Sequence, residues 1–162
     1  MSTNEETRRL EPVPETVLRH AEALATAHYR NGELDVARTT LERLLPHREN
    51  RDDLWALLGV IYRRLQQPGQ ALMALRRAVE LDEDNINAAI NLAEVLVSVG
   101  QLPAGVELLR AIFESGRDET LPPEEQHEFV IRAGAQLEFI QDALDHLLES
   151  GKLEELYEQR TS

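Results

Sequence analysis

The chain has 162 residues, a formal charge of −13 and no cysteine, which excludes disulfides, thiolate metal sites and cysteine nucleophiles together. Its acidity repels phosphate backbones and anionic bilayers, so nucleic acid and membrane surfaces are poor partners. Apolar residues make up 42% but aromatics only 4%; a core of Leu, Ala, Ile and Val favours helices over sheets in a chain of single-domain length.

The first residues, MSTNEETRRL, are polar and carry no secretory pattern. Residues 1–17 read as a partly disordered lead. From Leu18 onward the sequence repeats when shifted by 34 residues. Leu58 falls on Leu24 and Leu92, Leu75 on Leu41 and Leu109. Small residues meet small ones: Gly59 falls on Ala25 and Ala93, and Ala71 on Ala37 and Gly105. The segments RNGELD (30–35), QQPGQ (66–70) and SVGQLP (98–103) share one phase, and each carries Gly or Pro where one helix must stop and another begin. Residues 18–51, 52–85 and 86–119 therefore each read as helix, turn, helix. The longest apolar run, LWALLGVIY, is far short of the roughly 20 residues that span a bilayer. No membrane insertion and a cytoplasmic location are expected.

The phase breaks at RDETLPPEEQ (117–126), a linker whose Pro122 and Pro123 suit a helix start. A longer helix is expected from about Glu124 to Ser150, with Val130, Ala133, Leu137, Ile140, Leu144 and Leu147 on one side. Phe129, Ile131 and Phe139 make a second apolar side. Gly151 ends it, and KLEELYEQ reads as a short final helix. Residues 120–162 would cap the last apolar face of a stack of helix pairs, or the second apolar side would form a homodimer.

The order Trp55, Leu58, Gly59, Tyr62, Ala71, Leu75, Ala78 resembles a tetratricopeptide repeat, whose first helix carries W-x2-L-G-x2-Y. The resemblance spans residues 18–119. It implies an all-α, right-handed superhelical solenoid of three hairpins with a C-terminal capping helix. It also implies that the first helices line a concave groove. Trp55, Leu58, Gly59 and Tyr62 take one side of their helix, at 3.6 residues per turn. Asp53, Leu57, Val60 and Arg64 take the other and become the candidate ligand face. Arg19, Ala23, Thr26 and Arg30 match them in the first repeat, and Asn87, Asn91, Glu94 and Ser98 in the third.

On that stripe Leu57 and Val60 would take an apolar anchor of a bound protein segment. Arginines would pair with its carboxylates, and asparagines would hold its main chain. The acidic C-terminal segment of the chain itself is a further candidate occupant. The heat-shock-tail clamp of some family members uses Lys, Arg and Asn at places held here by Glu22, Thr26, Leu57, Asn87 and Asn91, so that subtype is disfavoured. Small acidic proteins of three such repeats are similar to the type III secretion chaperones that guard apolar translocators, and NAAINLAEVLVSVGQ (87–101) is similar to their third repeat.

Catalytic chemistry finds no support. His20, His28, His47, His127 and His146 form no H-E-x-x-H pair. DEDNINAAINLAE (82–94) begins like a calcium loop, but Asn87 stands at its turn glycine and Ala93 at its last ligand. The expectation is a non-enzymatic adaptor or chaperone that binds a partner segment, without metal or cofactor. A structural subunit that only oligomerises is the rival class.

Overall fold

A computed structural model describes residues 13–120, 122 and 126–149. The expectations for residues 1–12 and for KLEELYEQ fall outside them. The described chain forms two compact units that divide between Asp82 and Glu83. Unit 1 holds α1 (Glu15–Arg30), α2 (Leu34–Leu44), a 3-10 turn (Leu45–His47), α3 (Asp52–Arg64) and α4 (Pro68–Leu81). Unit 2 holds α5 (Ile86–Ser98), α6 (Leu102–Gly116) and α7 (Glu128–Glu149). Among the described residues every regular element is helical, and α1–α2, α3–α4 and α5–α6 pack as hairpins.

The turns repeat at backbone level. The amides of Glu33, Gln67 and Gln101 donate to the carbonyls of His28, Tyr62 and Leu96, at 2.8, 2.9 and 2.9 Å. Each bond closes over one residue with positive φ: Gly32 at 80°, Gln66 at 58° and Gly100 at 81°. This is the left-handed position that commonly ends a helix. Two hairpins fill it with glycine, which has no Cβ to clash, and the middle one uses glutamine. The glycine of QQPGQ, Gly69, instead lies inside the first turn of α4, after Pro68 at the helix start. Gln66→Gly should therefore stabilise the protein by about 1 kcal/mol, read as a higher urea midpoint.

The repeated positions make the core. Leu41, Leu75 and Leu109 are fully buried, as are Ala25 and Ala93, and Gly59 at the same repeat position is buried too. Gly59 is small because α4 comes close: a Cβ there would stand 2.5 Å from Leu75 Cγ. Gly105 plays the same part in unit 2, where a Cβ would meet Val97 Cγ2 at 2.7 Å and the Ala93 carbonyl at 3.0 Å.

One match fails. Leu58 is 3% exposed but Leu24 is 54% exposed. Leu58 packs in one cluster with Leu41 and Leu44 of the preceding hairpin. Among the described residues no hairpin precedes α1, so Leu24, Val17 and Val36 stay exposed.

The C-terminal helix starts later than expected. Pro122 lies outside it, and α7 begins at Glu128. Before it, the Asp118 amide donates to Gln126 Oε1 at 2.8 Å and Gln126 Nε2 donates to the Asp118 carbonyl at 2.5 Å, tying the loop across its base. Val130 and Ala133 of α7 are buried and Gly116 lies against Val130, so α7 covers α6.

Candidate functional site

The site expected from the sequence divides between the two units. In unit 1, Arg19, Ala23, Thr26, Arg30 and Asp53 come together as lining of one open cleft between α1 and α3, of about 420 Å³. Ala23 is exposed on its wall, and Val60 is half-buried further along α3. Leu57 is different. It packs against the buried cluster of unit 1, so it serves the core as well as the face.

The charges in this cleft are mostly committed. Glu22 accepts from Arg48 Nε at 2.8 Å and from Arg51 Nη1 at 3.3 Å. Arg48 Nη2 also reaches Glu15 at 2.6 Å, and Arg51 holds Asp53 through two bonds of 2.8 Å. A chain of five charged residues thus links α1 to the start of α3. Arg19 pairs with Glu15 at 3.2 Å. The Thr26 hydroxyl donates back to the Glu22 carbonyl at 3.0 Å, as helical threonines do. The arginines nearest to use by a ligand are Arg30, which is exposed, and Arg64, whose guanidinium lies 5.3 Å from the centre of the Tyr29 ring.

The bidentate Arg51 contact holds the Asp53 carboxyl below the usual aspartate range. Arg48, and after it Arg19, does the same for Glu15. A depressed folded pKa adds stability that is present above the unfolded value, about 3.9 for aspartate, and lost as pH falls through the folded value. The urea midpoint should therefore drop below about pH 4, and the drop should be shallower in Arg51→Gln.

In unit 2 the expected residues are largely satisfied from within. Asn91 is 8% exposed; its amide donates to the Asn87 carbonyl at 2.7 Å, and its Oδ1 accepts from Arg132 Nη2 at 3.4 Å. The Glu94 side chain, 11% exposed, accepts from Arg132 Nε at 2.9 Å, from Arg132 Nη2 and from Gln136 Nε2 at 2.6 Å. The Ser98 hydroxyl returns to the Val95 carbonyl. Of the third-repeat residues, Asn87 and Ser98 are exposed.

The sequence reading missed the α7 side of this arrangement. Glu128, Arg132, Ala135 and Phe139 follow one another at the spacing of Asp53, Leu57, Val60 and Arg64. Arg132, Ala135 and Phe139 line a second cleft with Glu94, Val97 and Ile140, of about 410 Å³. Phe139 is 73% exposed. Both units therefore place an open cleft beside a first-helix stripe. Among the described residues, no three His, Asp or Glu side chains are grouped to hold a metal ion, and no helix is long and apolar enough to cross a membrane.

Residues 62–121 match the family model of the tetratricopeptide repeat. No curated protein matches the chain. Among solved structures, the Yersinia enterocolitica type III secretion translocator chaperone SycD superposes with a TM-score of 0.71 at 19% identity, over 85% of this chain and 92% of its own. The chain has the tetratricopeptide fold. PcrH from Pseudomonas aeruginosa gives a TM-score of 0.69 at 21% identity, over 83% of this chain and 99% of its own. A type III secretion complex from Aeromonas hydrophila gives 0.70 at 21%, over 82% and 86%. PcrH is also known in complex with the chaperone binding region of PopD, and SycD with a peptide of the translocator YopD. The all-helical repeat architecture expected from the sequence is thus the observed one.

Proposed function

We propose that this protein is a non-enzymatic binding module that holds a segment of another protein against the inner faces of its first helices. The α1–α3 cleft carries the reading: it gathers Arg19, Ala23, Thr26, Arg30 and Asp53, chosen by repeat position alone, around one opening. Exposed Ala23 gives an apolar wall, Val60 continues it along α3, and Arg30 and Arg64 offer cationic ends for a carboxylate. An apolar side chain entering the cleft gains by leaving water. The five-residue ion network holds the cleft walls in place, so little ordering is needed when the segment binds.

Within that reading, the protein acts in the cytoplasm as a chaperone for an apolar translocator of a type III secretion system. Support comes from the fold shared with SycD, known with a peptide of the translocator YopD, and with PcrH, known with the chaperone binding region of PopD. Co-expression with each translocator of the same genome tests it. A stable complex that keeps the translocator soluble is expected; translocators that aggregate equally with and without the protein would refute the chaperone role.

A second reading rests on Phe139 and Ile131, which α7 leaves exposed: a homodimer through this helix. Sedimentation should then show a dimer that Phe139→Asp converts to monomer. A wild-type monomer at high concentration would remove this reading.

A further inference from the structure

Unit 1 has another opening, on the side of α3 that carries Trp55 and Tyr62. By repeat position these aromatics fill space between hairpins. Both do pack on the buried cluster of unit 1, and their half-buried faces also wall an open cleft of about 450 Å³, bordered by α2, the 3-10 turn, α3 and α4. Leu45, Pro46 and Leu58 complete its apolar lining.

The polar groups around it are unevenly used. Both aromatic donors are spent: Trp55 Nε1 donates to the Glu49 carbonyl at 3.0 Å, and the Tyr62 hydroxyl donates to Glu42 Oε1 at 2.7 Å. Burial, and then the bond to Glu42, pushes the Tyr62 phenol up to about 12, so it keeps its proton. Acceptors remain. The Glu49 carboxylate makes no hydrogen bond or ion pair among the described residues, and it lines the cleft. Glu42 takes Tyr62 and Arg38 on one oxygen, which leaves its Oε2. Among the described residues that line the cleft, the cation is Arg77, which turns to Glu80 at 3.3 Å.

A ligand that accepts hydrogen bonds finds no aromatic donor left here. A ligand that donates, carries positive charge and presents a flat face fits both parts of the lining. A guanidinium does this: it stacks on aromatic rings and gives its in-plane N–H groups to carboxylates. We propose that the Trp55 cleft receives an arginine side chain from a partner protein, as a contact separate from the α1–α3 cleft.

Trp55 is the only tryptophan of the chain, so its emission and its indole N–H resonance report on this site directly. The probe is acetyl-Leu-Arg-Leu-amide, titrated into the full-length protein beside its citrulline twin, which keeps the shape and loses the charge. A saturable Trp55 response is expected, about fivefold weaker for the citrulline peptide and weakened to a similar degree by Glu49→Gln. Ala23→Glu, which obstructs the other cleft, should leave it unchanged. The proposal is overturned by an absent response, by equal binding of the two peptides, by indifference to Glu49→Gln, or by loss in Ala23→Glu. It is also overturned if Arg8→Gln with Arg9→Gln moves the indole resonance without peptide, because the chain's own arginines would then be the occupant.

Discussion

Gly59→Val should lower stability by about 3 kcal/mol, at the upper end of overpacking costs. In a chain of this size that is a fall of roughly 6–12 °C in Tm. A Cβ at residue 59 would lie 2.5 Å from Leu75 Cγ, 2.9 Å from Cδ2 and 3.3 Å from the Leu75 amide nitrogen. Leu75 is fully buried, so it cannot swing aside, and α3 must part from α4. The better helix propensity of valine offsets only a few tenths of a kcal/mol. Gly69→Val is the control: no atom lies within 4 Å of a Cβ there, and its stability should change little. Circular dichroism melts of the two variants settle the matter. Equal melts would mean that the small residue at 59 is not set by helix approach.

Ala23→Glu should weaken partner binding at least about tenfold, or about 1.4 kcal/mol, while moving Tm by no more than about 2 °C. Ala23 is exposed on α1 and lines the α1–α3 cleft. Glutamate is a good helix former, so the fold loses little. Its longer side chain fills the opening and adds charge beside Glu22. Substitution of Leu57 by aspartate is less informative, because Leu57 also packs on the unit 1 core; lost binding there would mix with lost stability. Calorimetry with the co-expressed partner segment measures the effect, and Gln70→Glu, at an exposed position of α4, serves as a surface control. Unchanged affinity for Ala23→Glu would remove the α1–α3 cleft from the binding surface.

The repeat was legible because its period reports geometry. Residues 34 apart occupy the same place in successive hairpins, and the positive-φ residues at 32, 66 and 100 fall on that period. The stacking face of α3 was legible for the same reason, since Leu58 and Gly59 are both buried. Which polar groups remain open to a ligand was not. Arg48 reaches Glu22 across 26 residues, and Arg132 reaches Glu94 across 38. Those pairings follow from how helices dock, and no periodicity encodes them. They alter the expected roles: Asp53 serves Arg51, and Asn91 and Glu94 serve α7.

A trace of the α7 contribution did lie in the sequence. Val130-x2-Ala133-Gly134-x2-Leu137 repeats the spacing of Trp55-x2-Leu58-Gly59-x2-Tyr62, seven residues beyond two full periods. The linker before α7 shifts the phase, and the absence of a large aromatic at its first position hides the match. The exposure of Leu24 misled in the opposite direction. Its identity fits the repeat, but the neighbour that would bury it is missing from the described chain.

The central claim is that a partner segment lies against the inner faces of the first helices. Site-specific photo-crosslinking in the native cell tests it most directly, with benzoylphenylalanine placed singly at Ala23, Val60 and, on the exposed side of α4, Arg76. The account predicts a covalent adduct with one and the same second protein from positions 23 and 60, and none from 76. Adducts from position 76 alone, or none from 23 and 60 while the partner still co-purifies, would contradict it.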